Sequence, residues 1–126
     1  PRELHMPFPV SGDLLKRAEE AMERSLPPEL RARLERSNGG DVCAAGDVWT
    51  LVPVRDDTDR KRLARTANDI LRESQEASKW PDFPEGAFVV AQNGTGDLLV
   101  LLPASDEIHL WDHETGRATA VTVDWG

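Results

Sequence analysis

Between residues 86 and 125 the chain carries four short apolar runs, at 87–91, 98–102, 108–111 and 118–123. Separating them are Asn93-Gly94-Thr95-Gly96, Pro103-Ala104-Ser105-Asp106 and His113-Glu114-Thr115-Gly116. Each break is rich in residues that accept positive φ or preset a turn, and each is too short for a crossover helix. The spacing therefore predicts an antiparallel meander of four strands. Residues 98–102 are apolar on both faces, which predicts a central strand covered on both sides. In the last run Val121, Val123 and Trp125 share a face, with Thr119 on the same side nearer the turn. Ala118, Ala120, Thr122 and Asp124 face the other way.

Upstream of this stretch the pattern is mainly helical. Three prolines within residues 1–10 predict an extended lead-in. Ser11 or Asp13 can cap a helix running to about residue 24, with Leu14, Leu15, Ala18, Ala21 and Met22 at helical spacing. Ser25-Leu26-Pro27-Pro28 breaks it, and Pro28 suits the first turn of a second helix over 28–37, with Leu30 and Leu34 on one face. Asn38-Gly39-Gly40 closes that helix. Residues 47–54, DVWTLVPV, are β-branched and aromatic and predict a strand that Pro53 places at an edge or near its end.

Asp56-Asp57-Thr58-Asp59 offers caps for a third helix over 59–78, with Leu63, Ala67, Ile70 and Leu71 as its apolar stripe. Arg65–Asp69 and Arg72–Glu76 are opposite charges four apart on its wetter side, worth ~0.2–0.5 kcal/mol each. Trp80-Pro81-Asp82-Phe83-Pro84 then forms a stiff loop. The expected fold is α+β: an antiparallel sheet of about five strands, an edge strand 47–54 plus a C-terminal meander 87–123, with N-terminal and central helices packed on it.

At 126 residues, 39% hydrophobic and 30% charged, the chain predicts a single domain, 1–126, with a proper core. Neither a membrane span of ~20 apolar residues nor a signal peptide is expected. The single cysteine, Cys43, excludes an internal disulfide framework, fits a reducing, cytoplasmic setting, and reads as a small half-buried residue.

Charge is unevenly placed. Residues 80–126 hold eight acidic side chains against Arg117 alone, a balance of −7 out of −8 for the whole chain. Nucleic acid is therefore not an expected partner, since phosphate binding needs clustered cations. The one basic run, Arg60-Lys61-Arg62 with Arg65, lies beside Asp56, Asp57, Asp59 and Asp69 and reads as a solvated helix start.

Three fragments in order resemble one superfamily. They are the helix between Leu26-Pro27 and Asn38-Gly39-Gly40, then Phe83-Pro84-Glu85-Gly86 leading to Asn93-Gly94-Thr95-Gly96-Asp97, then residues 108–116, IHLWDHETG. Together, over roughly residues 11 to 125, they resemble the SUKH superfamily, which takes in Smi–Knr-type fungal cell-wall regulators and many bacterial toxin-immunity domains. The resemblance implies an α+β domain without catalytic activity that binds and neutralises a cognate toxin, often a nuclease. It also implies a further helix after the last strand; without one, an apolar face of the sheet would stay partly open. A regulatory adaptor of the Smi–Knr type is the alternative.

Sharper chemistry finds little support in the residues. Asn93-Gly94-Thr95-Gly96-Asp97 lacks the lysine and following helix of a phosphate loop, and reads as a turn with Asp97 tying its own backbone. His109, His113 and Asp112 offer the donor types of a metal site, but the two histidines would stand roughly 13 Å apart on an extended strand. No cofactor or metal is expected. Asp112 and His113 as an acid–base pair lack a nucleophile and an oxyanion donor, so hydrogen bonding between them across the turn is expected instead. The residues expected to meet a protein partner are Asp97, Asp106, Glu107, Asp112 and Glu114 on the turns, with Trp111 as an anchor. Of Trp49, Trp80, Trp111 and Trp125, at least two should be core.

Overall fold

The computed structural model describes residues 8–126; the first seven residues, and with them most of the expected lead-in, lie outside the described residues. The Ser11 hydroxyl accepts from the Leu14 amide and caps α1 (Gly12–Met22), which turns Leu15 and Met22 into the core. Pro28 opens α2 (Pro28–Arg36), with Leu30 and Leu34 fully buried. Asn38 does more than end that helix. Its buried amide donates to the Val54 carbonyl at 2.8 Å and accepts from the Val54 amide at 2.9 Å.

Among the described residues seven strands form one antiparallel sheet: β1 (Asp41–Ala44), β2 (Asp47–Leu51), β3 (Phe88–Gln92), β4 (Leu98–Leu101), β5 (Ile108–Trp111), β6 (Ala118–Ala120) and β7 (Val123–Asp124). Their spatial order is β6-β5-β4-β3-β2-β1-β7. The expected meander is present, but the count of about five strands is too low, for two reasons. First, β1 alternates Val42 and Ala44 inward with Asp41 and Cys43 outward, over only four residues. Its presence makes β2 an interior strand, not the expected edge. Proline has no N–H for a ladder, so β2 stops at Leu51 and Pro53 falls beyond it. Second, the expected strand 118–123 is divided. β6 pairs with β5, while β7 pairs with β1 at the opposite edge, and only Val121 and Thr122 intervene. One stretch of chain thus holds both edges, and the sheet curls.

The expected third helix is also two. Asp59 caps α3 (Arg60–Arg65) and Asp69 caps α4 (Ile70–Ala77). At the break the buried Thr66 hydroxyl accepts from the Asp56 amide and donates to the Arg62 carbonyl, both at 2.9 Å. Because Asp69 starts a new helix, residues 65 and 69 do not share one continuous helix face, and Glu76 meets Lys79 at 3.5 Å. Leu63, expected in the apolar stripe, is exposed; the short α3 buries nothing. Its basic residues instead crowd the Phe8 ring, with Lys61, Arg62 and Arg65 all over its face.

The main core lies between the helices and one face of the sheet, joining Leu15, Leu30, Leu34, Trp49, Ile70, Leu99 and Leu101. On the other face Ala87, Val100 and Trp111 form a smaller cluster, with Phe83 edge-on to Trp111 at 5.2 Å. The loop after α4 therefore lids the second face. β4 is covered on both sides as its pattern predicts: Leu99, Val100 and Leu101 are completely buried. Each such side chain contributes about 1.5–3 kcal/mol. A bulge in β3 between Val89 and Ala91 coincides with docking of α4, whose buried Ser74 hydroxyl accepts from the Val89 amide at 2.8 Å. Trp49 and Trp111 are core, whereas Trp80 is 51% exposed. Cys43, expected half-buried, is exposed, because it sits on the outer face of β1. No helix among the described residues is long and apolar enough to cross a membrane.

Candidate functional site

Alternate turns of an antiparallel meander fall at opposite ends of the sheet. That rule divides the expected contact residues. The β3–β4 turn, carrying Asp97, and the β5–β6 turn, carrying Asp112 and Glu114, share one end. The β1–β2 turn joins them there, and its Asp47 carboxylate accepts from the Asn93 amide at 3.0 Å. Asp106 and Glu107, on the β4–β5 turn, stand at the far end. There Arg24, just past the end of α1, meets Asp106 at 3.1 Å and donates to the Leu102 and Ser105 carbonyls, so part of that negative charge is already matched. Glu107 is exposed beside it.

At the near end the two turns are joined by one carboxylate. Asp97 Oδ1 accepts from the His113 backbone amide at 3.1 Å and from His113 Nδ1 at 2.6 Å. A carboxylate only accepts, so Nδ1 carries the proton. The hydrogen bond to Asp97 raises the His113 pKa above its ordinary value. Partial burial opposes this, and the charges of Asp97, Glu114 and Asp112 add to it. The ring lies flat on Gly96, where a Cβ would sit 3.1 Å from three ring atoms. Asp97 is thus not tied to its own turn as expected; Asn93 does that work, accepting from the Thr95 amide and hydroxyl. Nor does Asp112 bond to His113. Its carboxylate accepts from the Glu114 and Thr115 amides and shapes its own turn.

Trp111, the expected anchor, is corrected by its burial. It lies beneath Phe83, its indole N–H donating to the Asp82 carbonyl at 3.2 Å, and no partner can reach it in this fold. Inward alternation on β5, opposite Leu98, puts it there. The exposed tryptophan is Trp80, just past α4. Sequence reasoning also passed over Asp47, Glu73 and Glu76, which reach the same end only through tertiary pairing. The signal available for Trp80 was its place in a Pro-rich helix exit, where a large apolar side chain has no helical face to join.

The two histidines have different partners. His109 Nδ1 faces the Glu107 carbonyl at 3.2 Å, while His113 meets Asp97. Asp97, Asp112 and His113 offer ligand atoms within 4.8 Å of one another. A cation bound by His113 Nδ1 would need that nitrogen unprotonated, and so would break the bond to Asp97. What the arrangement offers chemically is a rim of fixed carboxylates.

The fold and this rim define a class first: an α+β domain with helices on one face of a curled antiparallel sheet and acidic turns gathered at one end. Sequence comparison gives the family. The SMI1 / KNR4 family (SUKH-1) matches residues 9–125, and the chain belongs to it. No curated protein matches the chain.

Proposed function

We propose that this protein is a non-enzymatic, cytoplasmic immunity protein that binds and neutralises a cognate bacterial toxin with a basic, nuclease-like surface. The observation that carries the reading is the gathering of Asp47, Asp97, Asp112 and Glu114 on three turns at one end of the sheet, in a chain of the SUKH-1 family. Carboxylates on fixed turns attract a basic protein over several ångströms and orient it before contact. No nucleic acid, membrane or cofactor enters this reading.

The test is affinity capture of the toxin encoded beside this gene. A complex should form, and its association should slow at least about tenfold from low to high salt. Absence of a complex, or binding indifferent to salt, overturns the acidic-surface reading. A second reading, a regulatory adaptor, draws on the SMI1 / KNR4 membership itself. An isolated gene without a neighbouring toxin favours it.

A further inference from the structure

A groove of about 400 Å³ opens between α4 and the β3–β4 turn. Every charged residue lining it is a carboxylate: Glu73 and Glu76 from α4, and Asp97 from the turn. Its floor is apolar, with Val89 and Leu98, and its wall is Trp80, the most exposed of the four tryptophans. An isolated tryptophan half in water needs no explanation. One that walls a cleft lined by three carboxylates does, because indole face and carboxylate both attract the same kind of group, a cation.

We propose that this groove is a docking site for an arginine side chain of a basic protein partner, with Trp80 as its stacking platform. Arginine fits better than lysine for two reasons. Its guanidinium is flat and weakly hydrated, so it can lie on an indole ring with little desolvation. Its fork of donors can meet two carboxylates at once, as Glu73 and Glu76, three apart on one helix, provide. Lys79 now touches Glu76 at 3.5 Å, but both side chains are more than 60% exposed, and an exposed pair of this kind is worth little against a competitor. Asp97 enters the groove while bonded to His113, so its position is fixed before any partner arrives. The inference rests on the reading that the partner is a basic protein, and it moves the aromatic anchor from Trp111 to Trp80.

The experiment uses the whole chain and a blocked tripeptide, Gly-Arg-Gly, with its citrulline counterpart as the uncharged control. The four indole N–H signals are followed by NMR, that of Trp80 being assigned with Trp80→Phe. The arginine peptide should shift the Trp80 signal saturably, and the citrulline peptide should not. Glu73→Gln/Glu76→Gln, at two positions outside the buried stripe Ile70, Ser74 and Ala77 of α4, should weaken the arginine response about fivefold or more. Equal shifts with both peptides, an unchanged response in the double variant, or no saturable shift of Trp80 overturns the proposal. Toxin capture separates it from the broader reading: arginine binding without a toxin complex refutes only the immunity role. A salt-sensitive complex untouched by Trp80→Ala refutes only the groove.

Discussion

Two backbone groups of Val54 depend on one side chain. Asn38 supplies both the donor and the acceptor for them, and Val54 and Asn38 are 1% and 6% exposed, so water cannot replace it. Asn38→Ala should therefore cost about 2–4 kcal/mol, measured as a fall in the urea midpoint at constant slope. Arg33 is a similar case: its buried guanidinium donates to the carbonyls of Trp125 and Ser37 at 2.8 Å, and burial pushes its pKa down. His113 gives a prediction with a sign. Its folded-state pKa is raised above 6.5 by the hydrogen bond to Asp97, with Asp97, Asp112 and Glu114 as the facing charges. The stability it contributes is thus complete below 6.5 and is lost as pH rises through the folded value. In Asp97→Asn the His113 titration, followed by NMR, should move down toward 6.5; an unmoved midpoint contradicts the pair.

Among the elements, the β5–β6 turn and the divided helix make separate demands. Gly116 has φ +74°, and a Cβ there would lie 2.8 Å from the Asp82 Cβ. Gly116→Ala must strain the backbone and push away the loop that lids Trp111, for about 1–3 kcal/mol, read as a loss of thermal stability. Asp69 caps α4 by accepting from the Arg72 amide at 2.9 Å. Asp69→Ala should cost about 1 kcal/mol by urea denaturation, whereas the same change in a continuous helix would cost little. Sequence periodicity located α1, α2 and the meander because amphipathic spacing is a local property. It missed the break at Thr66 because that break is made by Asp56, ten residues back, and no periodicity encodes such a contact.

On the scale of the molecule, the acidic residues act through their placement. The −7 balance of residues 80–126 was legible, but Asp106 and Glu107 are separated from Asp97, Asp112 and Glu114 by the length of the sheet. Glu114→Lys, at an exposed turn, should slow association with a basic partner and leave dissociation nearly unchanged, as stopped-flow mixing would record.

Composition and spacing alone settled the α+β class, the four-strand meander, the doubly covered β4 and the excess of carboxylates toward the C-terminal end. All of these follow from which neighbours along the chain are apolar, charged or turn-forming. The curl of the sheet was decided elsewhere, by β7 reaching β1 so that Cys43 lies opposite Asp124. The burial of Trp111 and the exposure of Trp80 were settled in the same way, by where the loop after α4 comes to rest. Contacts between residues tens of positions apart exist only once the chain has packed, and a side chain's exposure is a property of that packing.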